Sequence, residues 1–131
     1  MRLEKHEIHR RIKSDLKIEF APQQISSYSG LELFKRYFRI IGLNRRIGRA
    51  FQGCKLSGDY GVVDCVLTLM ALSLVGANRL RHVAYIGEDP LVQRLCELAA
   101  LPCDRTLSRW LKQFTNDSLQ ALVSLNSEIV F

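Results

Sequence analysis

Apolar residues recur along most of this chain at intervals of three and four, the repeat of one helix face. Leu31, Phe34, Phe38 and Ile41 form the first such set. Ser29 and Glu32 ahead of it have capping-box spacing, and Gly42 suits the position just past a helix end, so a helix is predicted over 30–41. Leu43, Ile47, Ala50 and Phe51 predict a short helix over 43–51, with Arg45, Arg46 and Arg49 on its outer side. A loop follows over Gln52–Gly58. Gly61–Ala77 is apolar almost throughout and predicts a buried helix over about 60–77, with Asp59 as N-cap and Gly76 and Asn78 as stops. A short helix is expected over 79–86. Asp89-Pro90 then offers an N-cap and an N1 proline for a helix over 90–100, with Leu91, Leu95, Leu98 and Ala99 inward. Beyond Leu101-Pro102, Leu107, Trp110, Leu111 and Phe114 share one face of a helix over 105–114, capped by Asp104 or Thr106. A last helix is expected over about 117–129 through Leu119, Leu122, Val123, Leu125 and Ile129. The period of two occurs only in DLKIEF at 15–20, a short strand ended by Ala21-Pro22.

These elements predict an all-α fold: a small multi-helix bundle over 29–131, with a helix-turn-helix-like pair near the C-terminus. At most one short strand is expected, within a charged N-terminal arm over 1–28. Residues 1–14 show no apolar periodicity and read as flexible or partly helical. A chain of 131 residues with 47% hydrophobic and 24% charged residues is long and apolar enough for one globular core.

Charge adds an asymmetry. Residues 1–65 hold 13 Lys/Arg against 7 Asp/Glu, whereas 66–131 hold 6 against 6, so the whole net charge of +6 lies in the first half. A basic half fits a polyanionic partner, nucleic acid before an anionic membrane surface, although a basic balance also occurs in proteins with no such partner. The apolar stretch 61–77 falls short of the ~20 residues that span a bilayer, and Asp64 and Thr68 interrupt it. The charged N-terminus has no apolar run behind it, so no signal peptide is expected. Cys54, Cys65, Cys96 and Cys103 form no CxxC pair and read as free thiols of a cytosolic protein. His6 and His9 have HxxH spacing with no second ligand pair, and read as solvated. No phosphate-binding glycine loop, nucleophile elbow or catalytic set is present.

The candidate chemistry lies on the 105–114 helix. Arg105, Ser108, Arg109 and Lys112 share the side opposite Leu107 and Trp110. With helix 90–100 and a turn over Leu101–Asp104, this makes a helix-turn-helix pattern whose second helix would enter a major groove. Arginine suits bidentate reading of guanine, and Gln113 that of adenine. Thr106 would meet a phosphate near the helix start. Arg45, Arg46 and Arg49 would make the backbone contacts that position rather than specify. The alternatives are that both basic faces are merely solvated, or that the chain is a helical interaction module dimerising through helix 30–41 and the Leu119–Ile129 face.

In its ordered set of segments the chain resembles the N-terminal region of bacterial insertion-sequence transposases with a DDE domain of group 1. The matching pieces are Ile18–Ser27, Gly30-Leu31, the helix LNRRIGR at Leu43–Arg49 and the apolar helix with Gly76-Ala-Asn-Arg-Leu-Arg81. Glu88-Asp-Pro90 and Leu101-Pro102 with Thr106-Leu-Ser-Arg109 complete the set. The resemblance implies recognition of terminal inverted repeats in double-stranded DNA by a helical region, and implies a cytoplasmic, nucleoid-associated protein that forms a homodimer in one version of this reading. It also implies a downstream RNase H-like domain in which Asp, Asp and Glu hold two divalent metals, magnesium above all. No position here matches those catalytic residues, and Asp59, Asp64 and Asp104 do not fill that role. The expectation is a remnant or fragment with no cofactor of its own and no strand-transfer activity.

Overall fold

The computed structural model describes residues 4–15, 28 and 30–130. Their helices are α1 (Lys5–Lys13), α2 (Leu31–Ile41), α3 (Leu43–Ala50), α4 (Val62–Leu74), α5 (Val83–Ile86), α6 (Pro90–Cys96), α7 (Asp104–Lys112) and α8 (Asn116–Val130), with a 3-10 turn over Leu80–His82 leading into α5. The described residues contain no strand, and the multi-helix bundle expected from the apolar spacing is the architecture found. Residues 16–20 of the expected strand, and Ser29 of the expected capping box, lie outside the described residues.

The hydrophobic helix α4 runs through the middle. Its Cys65, Val66, Leu67, Thr68, Ala71 and Leu72 are buried, with α3 and α6 both packed against it. From α3 come Leu43 and Ile47, followed by Phe51; from α6 come Val92, Leu95 and Cys96. The helix is shorter than 60–77 at both ends. Its start is fixed by the Asp64 carboxylate, which accepts from the Gly61 amide at 3.3 Å, so Asp59 remains in the preceding loop and caps nothing. Its end closes as a Schellman turn: Ala77 N–H donates to Leu72 O at 2.9 Å and Gly76 N–H to Ser73 O at 3.2 Å, with Gly76 at φ 81°. No helix among the described residues is long and apolar enough to cross a membrane.

Helix α6 starts as its sequence foretells. The Asp89 carboxylate accepts from the Leu91 amide at 2.8 Å and the Val92 amide at 3.4 Å, with Pro90 at N1. It stops four residues before the expected end. Glu97 takes a left-handed conformation, φ 57°, and Leu98 N–H closes back on Gln93 O at 3.1 Å. Asn44 Nδ2 donates to the Glu97 carboxylate at 3.2 Å, which ties this stop to α3. A tertiary contact thus ends a Leu-Ala-Ala run that propensity alone would extend. Val92, Leu95 and Cys96 are the buried apolar residues of α6, with Leu91 and Leu98 partly buried against the core as expected, whereas Ala99 is exposed.

Helix α2 also differs from its expected facing. Leu31 is buried and Phe38 and Ile41 partly so, but Phe34 is largely exposed, and Glu32 and Lys35 are buried instead. Glu32 is drawn inward by Arg94 of α6, and Lys35 by a backbone carbonyl at the end of α1. Arg94 Nε and Nη2 each lie 3.2 Å from a Glu32 carboxylate oxygen, with both side chains almost fully enclosed. Its guanidinium also donates to the carbonyls of Arg11 and Ser14, while Lys35 Nζ donates to the Ile12 carbonyl at 2.6 Å. These are carbonyls at the open end of α1, where cations are favoured by the helix dipole. The segment expected as a flexible or partly helical arm is therefore a helix docked on α6, with Ile12 buried. Arg39 adds an exposed ion pair with Asp15, and that hydrogen bond pulls the Asp15 carboxyl below its ordinary range.

Candidate nucleic-acid interface

Helix α7 is two-sided in the manner its sequence predicts. Leu107 is fully buried and Trp110 nearly so, with Leu111 and Phe114 partly enclosed. Trp110 meets Phe114 edge-on at 4.9 Å between ring centres, and Phe114 meets Phe51 at 6.1 Å, which fixes the rotation of α7 about its axis. Trp110 Nε1 is buried without a hydrogen-bond partner, so packing rather than polar contact anchors this ring.

That rotation turns Arg105, Arg109 and Lys112 to solvent, with Ser108 half-buried among them. Together with Leu80 and Asp104 they line a shallow groove of about 370 Å³. Its floor comes from the 3-10 turn over Leu80–His82, against which α7 packs. Four of the predicted site residues are thus brought together on one surface. Two others have structural employment. The Gln113 amide is paired at both ends with the backbone of Ser57: Ser57 N–H donates to Oε1 at 2.8 Å, and Nε2 donates to Ser57 O at 2.7 Å. It pins the 52–58 loop to α7 and has no amide edge left for adenine. Thr106 is half-buried, with its hydroxyl 3.2 Å from Cys103 Sγ.

The cap of α7 is Cys103, not Asp104 or Thr106; Asp104 is the first helical residue, and its carboxylate accepts from the Arg105 amide at 2.9 Å. A negative charge therefore already complements this helix start. The Thr106 contact pulls the exposed Cys103 thiol below its ordinary pKa. The connection from α6 to α7 runs over Glu97–Cys103 instead of Leu101–Asp104, because α6 stops early. That is longer than the three or four residues of a helix-turn-helix.

On α3, Arg45 and Arg49 are exposed and border an open cleft of about 690 Å³ where the chain bends at Gly42, φ 64°. Arg46 is spent on structure. Its Nε donates to Ile41 O at 2.8 Å, closing the end of α2, and Nη1 lies 3.5 Å from Glu128 of α8. The cleft also holds Glu97 and Glu128, which temper its positive charge.

The sequence reading missed the cluster of Glu32, Lys35 and Arg94. One signal for it was present: Val92, Leu95 and Cys96 have the i, i+3, i+4 spacing of an inner face, and taking that face puts Arg94 at the core's edge. Among the described residues no group of His, Cys, Asp and Glu side chains is arranged to hold a metal ion. Compared with protein-family models, curated proteins and solved structures, the chain matches none.

Proposed function

We propose that this chain is a DNA-binding module of a DDE transposase, with α7 reading the ends of the mobile element in a major groove. The observation that carries the reading is the pairing of a rigid inner face, Leu107 and Trp110, with an outer face of Arg105, Ser108, Arg109 and Lys112. A recognition helix needs exposed base-contacting side chains and an anchored inner face, and the exposure of Arg105, Arg109 and Lys112 with the burial of Leu107 and Trp110 supports that role. The likeness of the ordered segments to transposase N-terminal regions supplies the class of DNA. Arg45 and Arg49 are assigned to phosphates; Arg46 and Gln113 are not assigned to DNA, since both are committed within the fold. The reading rests on α7 itself and not on a helix-turn-helix, given the long α6–α7 connection.

The test is fluorescence anisotropy with duplex DNA over a salt series. Specific duplex should bind with log K falling by roughly 0.9 per phosphate contacted as log salt rises. Arg109→Ala should cost about 1–3 kcal/mol on the preferred duplex and relax preference at one base pair, whereas Arg45→Ala should weaken all duplexes alike. Equal loss on every duplex for Arg109→Ala would remove its base-reading role.

A further inference from the structure

Helix α2 is apolar on both sides. Opposite its buried Leu31 and Lys35 lie Leu33, Phe34, Tyr37 and Ile40, exposed by 61%, 41%, 46% and 82%. Positions 33, 37 and 40 follow i, i+4, i+7 and form one straight stripe, with Phe34 along its edge. Single exposed apolar residues need no explanation, but four large ones on one helix face mark an interaction surface.

We infer that this stripe is the interface of a homodimer in which α2 packs antiparallel on α2 of a second copy, about a two-fold axis between Arg36 and Tyr37. The sequence of the stripe favours a second copy over an unrelated partner because it is self-complementary. An axis there sets Leu33 of one copy against Ile40 of the other, twice, with the two Tyr37 rings close to the centre. The area suits a weak, reversible dimer. At the observed exposures the four side chains offer about 400 Å² per copy, taking about 200 Å² for a whole aromatic side chain and somewhat less for Leu or Ile. Two copies bury about 800 Å² from these side chains, below the ~1,200 Å² of stable interfaces and in the range of transient ones. Charge on the same helix does not forbid it: Arg39 is already paired with Asp15 in its own chain, Arg36 is half-buried and engaged within its own chain, and Glu32 and Lys35 are turned inward. Each copy carries a net charge of +6, so the dimer tightens as salt rises, opposite in sign to DNA binding.

The experiment uses the full chain without DNA, so its outcome does not depend on the DNA reading. Sedimentation velocity over a concentration series, at low and high salt, should show a monomer–dimer equilibrium shifted toward dimer by salt. Ile40→Glu, at the most exposed position, should give monomer at every concentration with an unchanged far-ultraviolet spectrum, and Tyr85→Glu, an equally exposed control, should leave the dimer intact. In a Cys103→Ser background, Tyr37→Cys should form a disulfide-linked dimer under mild oxidation. Leu33→Cys and Ile40→Cys should cross-link when mixed and not when oxidised separately. A wild-type chain that stays monomeric overturns the inference. So does a dimer indifferent to Ile40→Glu, which would place the contact elsewhere, such as the exposed Leu119 and Val123 of α8. Cross-linking of Leu33→Cys with itself would overturn the antiparallel arrangement.

Discussion

Replacing both members of the buried Glu32–Arg94 pair should harm this protein less than replacing either one. The Glu32 and Arg94 side chains are 7% and 5% exposed and meet through two contacts of 3.2 Å. Removing one partner takes away the main counter-charge of the other in a buried site, a change that costs about 3–5 kcal/mol in such settings. Arg94→Met also strips donors from the Arg11 and Ser14 carbonyls at the end of α1. Glu32→Met is expected to be the worse single change, because it leaves the buried cations Arg94 and Lys35 facing each other. The Lys35 pKa already reflects this balance: burial lowers it first, the Arg94 charge lowers it further, and the Glu32 charge opposes both. The double variant Glu32→Met/Arg94→Met removes the whole pair and keeps the volume filled. It should fall within about 2 kcal/mol of the wild type, the remainder being the lost carbonyl bonds of α1 and the Glu32 charge lost from beside Lys35. The assay is urea unfolding followed by circular dichroism, with the four proteins compared at constant m. The predicted order of stability is wild type, double variant, Arg94→Met, Glu32→Met. A double variant as unstable as the sum of the singles would refute the reasoning, since it would mean that the two side chains stabilise independently.

Asp89→Ala removes the carboxylate that accepts from two amides at the start of α6, and should cost about 1 kcal/mol in the same urea assay. Glu97→Gly should raise stability by about 0.5 kcal/mol, because relief of a left-handed non-glycine residue, worth about 1 kcal/mol, exceeds the exposed Asn44 bond that is lost. A lowered urea midpoint would contradict that balance. Thiol alkylation followed by mass spectrometry should modify Cys103 before Cys65 and Cys96. Burial pushes Cys65 up to about 11 and Cys96 up to about 12, whereas the Thr106 contact pulls exposed Cys103 down, so of these three Cys103 is the one that gains thiolate as pH rises through the mildly alkaline range. Labelling of Cys65 and Cys96 without denaturant would show that α4 and α6 open readily.

What was legible in the sequence is what a single periodic face encodes. The inner residues of α3 and α7, the Asp89-Pro90 start and the Gly42 and Gly76 stops all follow from local spacing and local turn chemistry. In helix α2 the spacing places Leu31, Phe38 and Ile41 correctly and Phe34 not, because apolar residues occupy two opposite sides and periodicity alone does not choose between Phe34 and Lys35 as the inner residue. Glu32 is drawn in by Arg94, 62 residues away, and Lys35 by the Ile12 carbonyl, 23 residues away, contacts that no local window contains. The length of α6 was misread for the same reason, since Asn44 holds the residue at which it stops. For the candidate interface, spacing separated the outer from the inner side of α7, and the outer residues Arg105, Ser108, Arg109 and Lys112 share one groove. Spacing did not reveal that Gln113 and Arg46 are engaged by backbone groups from other segments.

The central claim is that α7 reads DNA sequence, and the most direct measurement is selection from a random pool of duplexes. Bound DNA would be recovered at about 0.15 M salt, where non-specific phosphate contacts are weakened, and then sequenced. The account predicts enrichment of a motif containing guanine, with preference at one of its positions lost for Arg109→Ala and the motif preserved for Arg45→Ala. Recovery of duplexes with no enriched motif, or the same motif from Arg109→Ala as from the wild type, would contradict it.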